Sequence, residues 1–426
     1  MEMKNLKRIL ITSILIIILS TLHVFAADNK EPEVYSPSVI LIESDTGKIL
    51  YEKNSNEQMY PASTTKMMTA ILALENCNLD DVATVSYNAV MTVPAGYSIA
   101  ALQIGEELTV EQLLKVLLIH SANDAANVLA EHIAGSIEAF SEMMNKKAIE
   151  IGCENTNFVN PSGIHNSEHF SSAYDLALIA KYAMENETFR NIVSQTSCTI
   201  EPTNKYDERT FRTTNDLLIY NNVQKDSNYY YPYAIGIKTG YTSQAKNCLV
   251  SAANKDGIEL IAVVLGAMQT STGLSERYLD TIELFYYGYE NYTMTNLKTQ
   301  GDIITNITVD HATKDTKSLD LTISDDLKVL IKNENLGTEI TPEIKLNDGL
   351  SAPIKQGDIV GTVTYTVEGI EYTANLIASH SVEKWTFIKL LLEVILLIIT
   401  LYVIYYLIFK SNRKNKKSNK TYKYKI

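Results

Sequence analysis

The chain has 426 residues, of which 46% are hydrophobic and 20% charged, and its formal net charge is −13 at pH 7. This length allows two or three domains, and the composition is that of a globular protein with added apolar segments. The acidic balance argues against nucleic acid and anionic lipid surfaces as partners, because both would repel the protein.

Residues 1–26 predict a secretory signal peptide. Lys4, Lys7 and Arg8 precede an apolar run over 9–22, and small residues at cleavage-site spacing follow that run. The run of about fourteen residues is shorter than the roughly twenty that a membrane-spanning helix needs. We therefore expect this segment to direct export and not to remain as an anchor.

The opposite end predicts a transmembrane helix over residues 387–409. This stretch is apolar except for Lys389, Glu393 and Thr400, and it is long enough to cross a bilayer. A basic tail, residues 410–426, follows with eight lysine and arginine residues and no acid. Such a tail is typical of the cytoplasmic side. The sequence therefore predicts a single-pass protein of the cell membrane whose large domain lies outside the cell.

Residues 34–290 combine strand and helix patterns and predict one α+β domain. Short apolar runs indicate strands, and apolar residues at helical spacing indicate helices. Strands are expected at 39–43, 49–52, 234–237, 247–252 and 260–265, and helices through 110–149, 173–184 and 277–289. This order predicts an antiparallel sheet that takes strands from both ends of the domain and packs against helices.

Residues 291–380 have a different pattern. Short runs of alternating apolar and polar residues are separated by turn sequences such as Asn347-Asp348-Gly349, and helical spacing is absent. We interpret this region as a small all-β sandwich that stands between the first domain and the membrane.

Ser63 and Lys66 form the first candidate catalytic pair. A stretch compatible with a helix would place their side chains on one face, so that an amine lies beside a hydroxyl and can take its proton. Ser-x-x-Lys alone is a common pattern, and it recurs at Ser243, Ser381 and Ser411. The pair therefore needs further motifs to support it.

Two further clusters supply that support. Ser121-Ala122-Asn123 directly follows the apolar helix pattern, and Lys238-Thr239-Gly240 ends a predicted strand, where Gly240 would let a substrate lie close to the backbone. Ser-x-x-Lys, Ser-x-Asn and Lys-Thr-Gly in this order are the signature of the serine enzymes that react with penicillin.

With these motifs the chain resembles the D-alanyl-D-alanine carboxypeptidases, the low-molecular-mass penicillin-binding proteins, over nearly its full length. The supporting stretches are residues 45–47, 60–66, 105–110, 121–126, 160–163, 236–242 and 355–358. The resemblance implies a penicillin-binding/β-lactamase-like serine transpeptidase domain, then a small all-β domain and a membrane attachment. It implies peptidoglycan pentapeptides ending in D-Ala-D-Ala as substrates, β-lactam antibiotics as inhibitors, and no cofactor or metal.

The resemblance also implies a role for each site residue. Ser63 attacks the carbonyl of the penultimate D-alanine, and Lys66, with its pKa lowered by burial and by Lys238, takes the proton. Ser121 relays a proton to the leaving amine, and Asn123 holds the peptide carbonyl or Lys66. The remaining expected roles are an oxyanion hole from the backbone N–H groups of Ser63 and Tyr241, and binding of the terminal carboxylate by Thr239 and Arg277.

Several alternatives accompany this interpretation. A β-lactamase would need a deacylating carboxylate, and no Glu-x-x-Leu-Asn stretch lies between Asn123 and Lys238. A D,D-endopeptidase would use the same residues and stays open, as does a catalytically idle penicillin-binding sensor of the cell wall. His165 and His169 fit a zinc-peptidase pattern, but the surrounding Pro, Ser, Gly and Asn residues predict a loop and not the helix that such a site needs.

Overall fold

The computed structural model describes residues 31–220 and 229–421, with side chains up to residue 410, and the predicted signal peptide lies outside these ranges. The chain divides into two compact units. The first runs to Thr293 and includes Lys332–Glu334, and the second comprises Met294–Ile331 and the chain from Asn335 onward. Each unit is described by itself.

The first unit contains strands β1 to β9 and helices α1 to α8. The strands are β1 (Ser38–Glu43), β2 (Ile49–Lys53), β3 (Val82–Thr84), β4 (Glu107–Thr109), β5 (Ser197–Ile200), β6 (Arg209–Arg212), β7 (Ala234–Thr242), β8 (Lys246–Lys255) and β9 (Ile258–Ala267). The helices are α1 (Lys66–Asn76), α2 (Tyr87–Met91), α3 (Val110–Ile119), α4 (Asn123–Ala134), α5 (Ile137–Ile151), α6 (Ala173–Met184), α7 (Glu187–Val193) and α8 (Glu276–Asn291).

The main sheet of this unit is antiparallel, with the strand order β2-β1-β9-β8-β7. Side chains of β1 alternate between its faces: Ile40 and Ile42 join the core formed with the helices, while Leu41 lies on the other side. There α8 packs so closely that a Cβ at Gly288 would lie 2.5 Å from Leu260 Cδ1 and 3.0 Å from Leu41 Cδ2. The sheet is therefore buried on both faces.

Local sequence signals explain where the helices begin and end. Thr109 and Gln112 form a capping box at the start of α3, as their spacing predicts. The Ser172 hydroxyl caps α6, whose bounds are those expected from its pattern. Gly135 ends α4 in the left-handed conformation, with a φ of 80°. The predicted helical region 110–149 thus becomes three helices.

The second unit contains all-β structure. Its strands are β10 (Tyr292–Lys298, which begins in the first unit), β11 (Ile303–Thr308), β12 (Ser318–Ile323), β13 (Leu327–Lys332), β14 (Glu343–Leu346), β15 (Ile359–Val367) and β16 (Ile370–Ala378). One sheet has the order β11-β12-β16-β15-β14, and β10 pairs with β13. Alternate residues of both sheets share one apolar core, among them Leu321, Val329 and Tyr365.

A long helix, α9 (Phe387–Thr421), ends the described chain. Its part from Phe387 to Lys410 is long and apolar enough to cross a membrane, and its side chains are exposed. The predicted fold class is confirmed: an α+β domain, an all-β domain and a C-terminal apolar helix follow one another.

Candidate active site

Ser63 lies in a 3-10 turn, Ala62–Thr65, that leads into α1, and not in the α-helix that the sequence predicts. Two features explain this turn. Ala62 has a φ of 48°, in the left-handed region, which is incompatible with a continuous α-helix. Gly163 lies so close that a Cβ there would be 1.8 Å from the Ala62 carbonyl oxygen. The turn nevertheless leaves Ser63 and Lys66 side by side.

Lys66 is completely buried at the centre of the site. Its Nζ lies 2.8 Å from Ser63 Oγ, 2.9 Å from Asn123 Oδ1 and 2.6 Å from the Ser162 carbonyl oxygen. All three partners are uncharged. Asn160 orders the Ser162 segment, because its Oδ1 accepts the backbone N–H of Gly163 at 2.7 Å.

The surroundings of Lys66 disfavour its charged form. Burial holds its pKa well below the usual value, and the positive charge of Lys238 lowers it further, whereas the carboxylate of Asp124 acts in the opposite direction. Both causes expected from the sequence are therefore present. A lysine in this state can accept a proton from a neighbouring hydroxyl near neutral pH.

Ser121 and Asn123 lie at the junction between α3 and α4. Ser121 has a φ of 66° and is almost fully buried, and Asn123 is the first residue of α4. The Asn123 amide nitrogen donates to the carbonyl of Ser98 at 2.7 Å, while its oxygen accepts from Lys66. Ser98 was not predicted as a site residue, because it is exposed and belongs to none of the motifs.

The Lys-Thr-Gly motif lies within β7, and in the described part of the chain β8 is the one strand that pairs with β7. Lys238 is buried and donates to the Thr239 carbonyl at 3.0 Å. Burial and the charge of Arg277 lower its pKa to about 7. A Cβ at Gly240 would lie 3.0 Å from the Pro61 oxygen and 3.1 Å from the Ser63 nitrogen. The glycine thus lets β7 approach the serine turn itself.

Hydroxyl groups and a guanidinium meet beyond Gly240. Thr239 Oγ1 lies 2.5 Å from Thr214 Oγ1. Arg277 donates to the Gly240 carbonyl at 3.4 Å and to the Tyr278 hydroxyl at 3.0 Å, and its buried Nε has no partner. Such a set suits a carboxylate. Thr214 was not predicted, because a threonine in a loop gives no signal in a single sequence.

One cleft of about 500 Å³ joins these groups. Of the predicted site residues, Ser63, Ser121, Asn123, Thr239, Gly240, Tyr241 and Arg277 line it. Lys66 and Lys238 are buried and are not among the lining residues. Tyr241 is 63% exposed, so its side chain forms part of the rim.

The His165–His169 segment is a loop, as predicted, and it supports the serine turn. His169 Nε2 lies 2.8 Å from Thr65 Oγ1, and its Nδ1 accepts the Val159 backbone N–H at 3.1 Å. Burial, Lys66 and His165 lower the pKa of His169 to about 3, so this ring is neutral. Among residues 31–220 and 229–421, no group of three His, Cys, Asp or Glu side chains could hold a metal ion. The four cysteines, all in that part of the chain, are free.

Comparison with known proteins identifies both units. Residues 25–269 match the family model of the D-alanyl-D-alanine carboxypeptidases, peptidase family S11, and residues 292–384 match the C-terminal domain of penicillin-binding protein 5. The D-alanyl-D-alanine carboxypeptidase DacF of Bacillus subtilis is 36% identical over 78% of this chain and 82% of its own length.

Solved structures agree with this match. Penicillin-binding protein 5 of Haemophilus influenzae is similar over 83% of this chain and 99% of its own, with a TM-score of 0.63 and 28% identity. A Streptomyces K15 DD-transpeptidase variant is similar over 61% of this chain and 99% of its own, with a TM-score of 0.54 and 33% identity.

Fold and site together define a serine hydrolase of the penicillin-binding protein class. The chain belongs to the S11 family of D-alanyl-D-alanine carboxypeptidases, and it is a serine-type D-Ala-D-Ala carboxypeptidase. The resemblance inferred from the motifs is confirmed.

Proposed function

We propose that Ser63 is the nucleophile and Lys66 its general base in the removal of the terminal D-alanine from peptidoglycan pentapeptides. The observation that carries this proposal is the distance of 2.8 Å between Lys66 Nζ and Ser63 Oγ, at a lysine that is buried among uncharged acceptors. A serine hydroxyl needs such a base to attack a carbonyl.

The hydrogen bonds of Lys66 suit the neutral amine. The neutral amine then donates its two hydrogens to the oxygens of Asn123 and Ser162, at 2.9 and 2.6 Å. Its lone pair accepts the hydrogen of the Ser63 hydroxyl. Proton transfer creates the serine nucleophile, which forms an acyl-enzyme with the penultimate D-alanine. Ser121, which lines the same cleft, passes a proton to the leaving amine. Water then hydrolyses the acyl-enzyme.

The other site residues bind the peptide. The backbone N–H groups of Ser63 and Tyr241 form the oxyanion hole, because Gly240 brings β7 against the serine turn. Arg277, Thr239 and Lys238 attract the terminal carboxylate. A β-lactam, whose amide and carboxylate resemble those of the peptide end, acylates Ser63 in the same orientation.

We also propose how the protein is placed in the cell. Residues 1–26 direct export, residues 387–409 anchor the chain, and the basic tail 410–426 stays in the cytoplasm. Residues 34–290 then form the extracellular catalytic domain, and residues 291–380 hold it away from the membrane. Protease treatment of intact cells should remove the penicillin-labelled domain, and its protection would contradict this topology.

The catalytic proposal is tested with the full chain in detergent. The protein should react covalently with labelled penicillin and should release D-alanine from a peptide that ends in D-Ala-D-Ala. Ser63→Ala should lose both reactions, and Ser381→Ala, which changes an exposed serine of another Ser-x-x-Lys pattern outside the cleft, should keep them. Labelling that persists in Ser63→Ala would show that another residue is the nucleophile. Release of split cross-linked dimers would add endopeptidase activity.

A further inference from the structure

The segment 98–102 connects the Ser-x-Asn motif to a buried carboxylate. The carbonyl oxygen of Ser98 accepts two hydrogen bonds from Asn123, one from its backbone N–H at 2.9 Å and one from its side-chain amide at 2.7 Å. The hydroxyl of Ser98 donates to the His120 carbonyl at 2.9 Å. The orientation of the Asn123 amide therefore depends on where this segment lies.

Asp124 fixes that segment. Its carboxylate is 1% exposed, and it accepts the backbone N–H of Ala100 at 2.9 Å and that of Leu102 at 3.0 Å. A third bond, from Ala125 N–H at 3.0 Å, ties it to the first turn of α4. Backbone N–H groups at a helix start favour a carboxylate, so the charge is stabilised without a paired cation among these partners.

We propose that Asp124 is a positioning residue for acylation: by holding segment 98–102 it places the Ser98 carbonyl, which orients the Asn123 amide, whose oxygen holds Lys66 beside Ser63. This inference rests on the proposed function, in which Lys66 is the general base. An amide that rotates or shifts by a fraction of an ångström would release one of the two acceptors that direct the lysine lone pair at the serine.

The charge of Asp124 gives this role a measurable signature. Three titratable groups face Lys66: Lys238 from β7, His169 from the loop before α6, and Asp124 from α4. His169 is neutral and Lys238 is cationic or neutral, so Asp124 is the negative member of the three. Its charge raises the pKa of Lys66 against the effects of burial and Lys238. Removing the charge should make Lys66 lose its proton at lower pH.

The experiment measures the rate of acylation by labelled penicillin from about pH 5 to about pH 10, with the full chain in detergent. Asp124→Asn keeps the shape but replaces one acceptor oxygen by a donor and removes the charge. We expect the plateau rate to fall about tenfold or more, and the acidic limb of the profile to move to lower pH. Asp124→Glu keeps the charge and displaces the acceptors, so its plateau should fall while the limb stays in place.

Asp175→Asn is the matched control. Asp175 is also a fully buried carboxylate that accepts backbone N–H groups, those of Glu154 at 3.4 Å and Asn155 at 2.7 Å, but it makes no bond to segment 98–102 or to Asn123. This variant should lose thermal stability. Its plateau rate of acylation should stay within about twofold of the wild-type rate, and the acidic limb of its pH profile should not move. A role in folding alone would make the Asp124 variants behave like this control.

The outcomes separate the two proposals. If Lys66→Met still acylates at the wild-type rate, the proposed function fails. If Lys66→Met is inactive while Asp124→Asn keeps the wild-type plateau and limb, Asp124 has no positioning role. If neither Asp124 variant folds, as judged by the absence of a cooperative thermal transition, Asp124 is a folding residue and the inference is overturned.

Discussion

The two units of the molecule bury different kinds of side chain. Among residues 294–331 and 335–410, no charged side chain is buried, and the core consists of residues such as Leu321 and Val329. The first unit buries several charged residues. Those less than 3% exposed are Glu43, Lys66, Glu106, Asp124, Asp175, Lys238 and Asp280. The catalytic unit therefore contains many groups that lower stability unless they are satisfied by partners.

The acids and the lysines of this set are satisfied differently. Asp280 accepts the backbone N–H groups of Tyr35 and Ser36 at 3.1 and 2.8 Å, and Asp175 accepts that of Asn155 at 2.7 Å. The two buried lysines donate to neutral oxygens and have lowered pKa values. In this unit the buried acids stabilise the fold, while the buried lysines cost stability and supply the proposed reactivity.

The largest effect is expected from Lys66→Met, which removes the proposed general base and keeps the side-chain volume. Acylation by penicillin should fall by about a thousandfold or more, the upper part of the range for general-base catalysis. Thermal stability should not fall, because the variant removes a buried amine. Rates and melting temperatures of the same preparation test both. A clear loss of stability would mean that Lys66 also supports the fold.

Leu321→Ala tests the other unit. It should create a cavity in the all-β core and lower the free energy of unfolding of that unit by about 2–5 kcal/mol. Penicillin labelling at a temperature where both units stay folded should not change. Thermal unfolding followed by calorimetry, together with labelling of the same sample, makes the measurement. A parallel loss of labelling would break the division between a catalytic and a supporting unit.

Gly240→Ala should disturb the approach of β7 to the serine turn. Its Cβ would lie 3.0 Å from the Pro61 oxygen and 3.1 Å from the Ser63 nitrogen, so one of these elements must move by a few tenths of an ångström. Acylation should fall about ten- to a hundredfold, because the N–H groups of the proposed oxyanion hole would be misplaced. Acylation rates and melting temperatures show whether the defect is local. An unchanged rate would mean that the site tolerates this displacement.

The smallest effect is expected in the pH dependence of stability that Lys238 causes. Its folded-state pKa of about 7 lies below the unfolded value of 10.5. Between these values the unfolded chain binds a proton that the folded chain has released, so this group makes stability rise with pH. Relative to Lys238→Met, wild-type stability should therefore rise by up to about 1.4 kcal/mol per pH unit in that window. Denaturant unfolding at several pH values measures how the free energy of unfolding changes with pH in both proteins. Equal slopes for wild type and Lys238→Met would mean that folding does not change the pKa of Lys238.

Sequence reasoning predicted elements whose signals are local. The helix pattern over 173–184, the strand pattern that begins β7 and each of the three motifs lie in contiguous stretches, and the structure has each of these elements. The family and the fold class followed from them. The 3-10 turn at Ser63 was predicted wrongly as α-helix, because its cause is the distant Gly163.

The missed contributions depend on residues far apart in the chain. Ser98 acts through its carbonyl oxygen, which every residue has, so no side-chain pattern marks it. Thr214 meets Thr239 across 25 positions, and Ser162 meets Lys66 across 96. Backbone acceptors and long-range contacts have no periodicity, and one sequence without a structure cannot reveal them.

The position of β7 at the end of the main sheet has a further consequence. An edge strand exposes unpaired backbone groups, and proteins usually protect such strands against pairing with another chain. Here the Ala62–Thr65 turn packs against β7 at Gly240. The turn that carries the proposed nucleophile therefore covers one face of this edge strand, which limits how another chain can approach it. Substitutions that loosen this contact should affect solubility as well as turnover, so aggregation of the folded protein becomes an independent report on the geometry of the site.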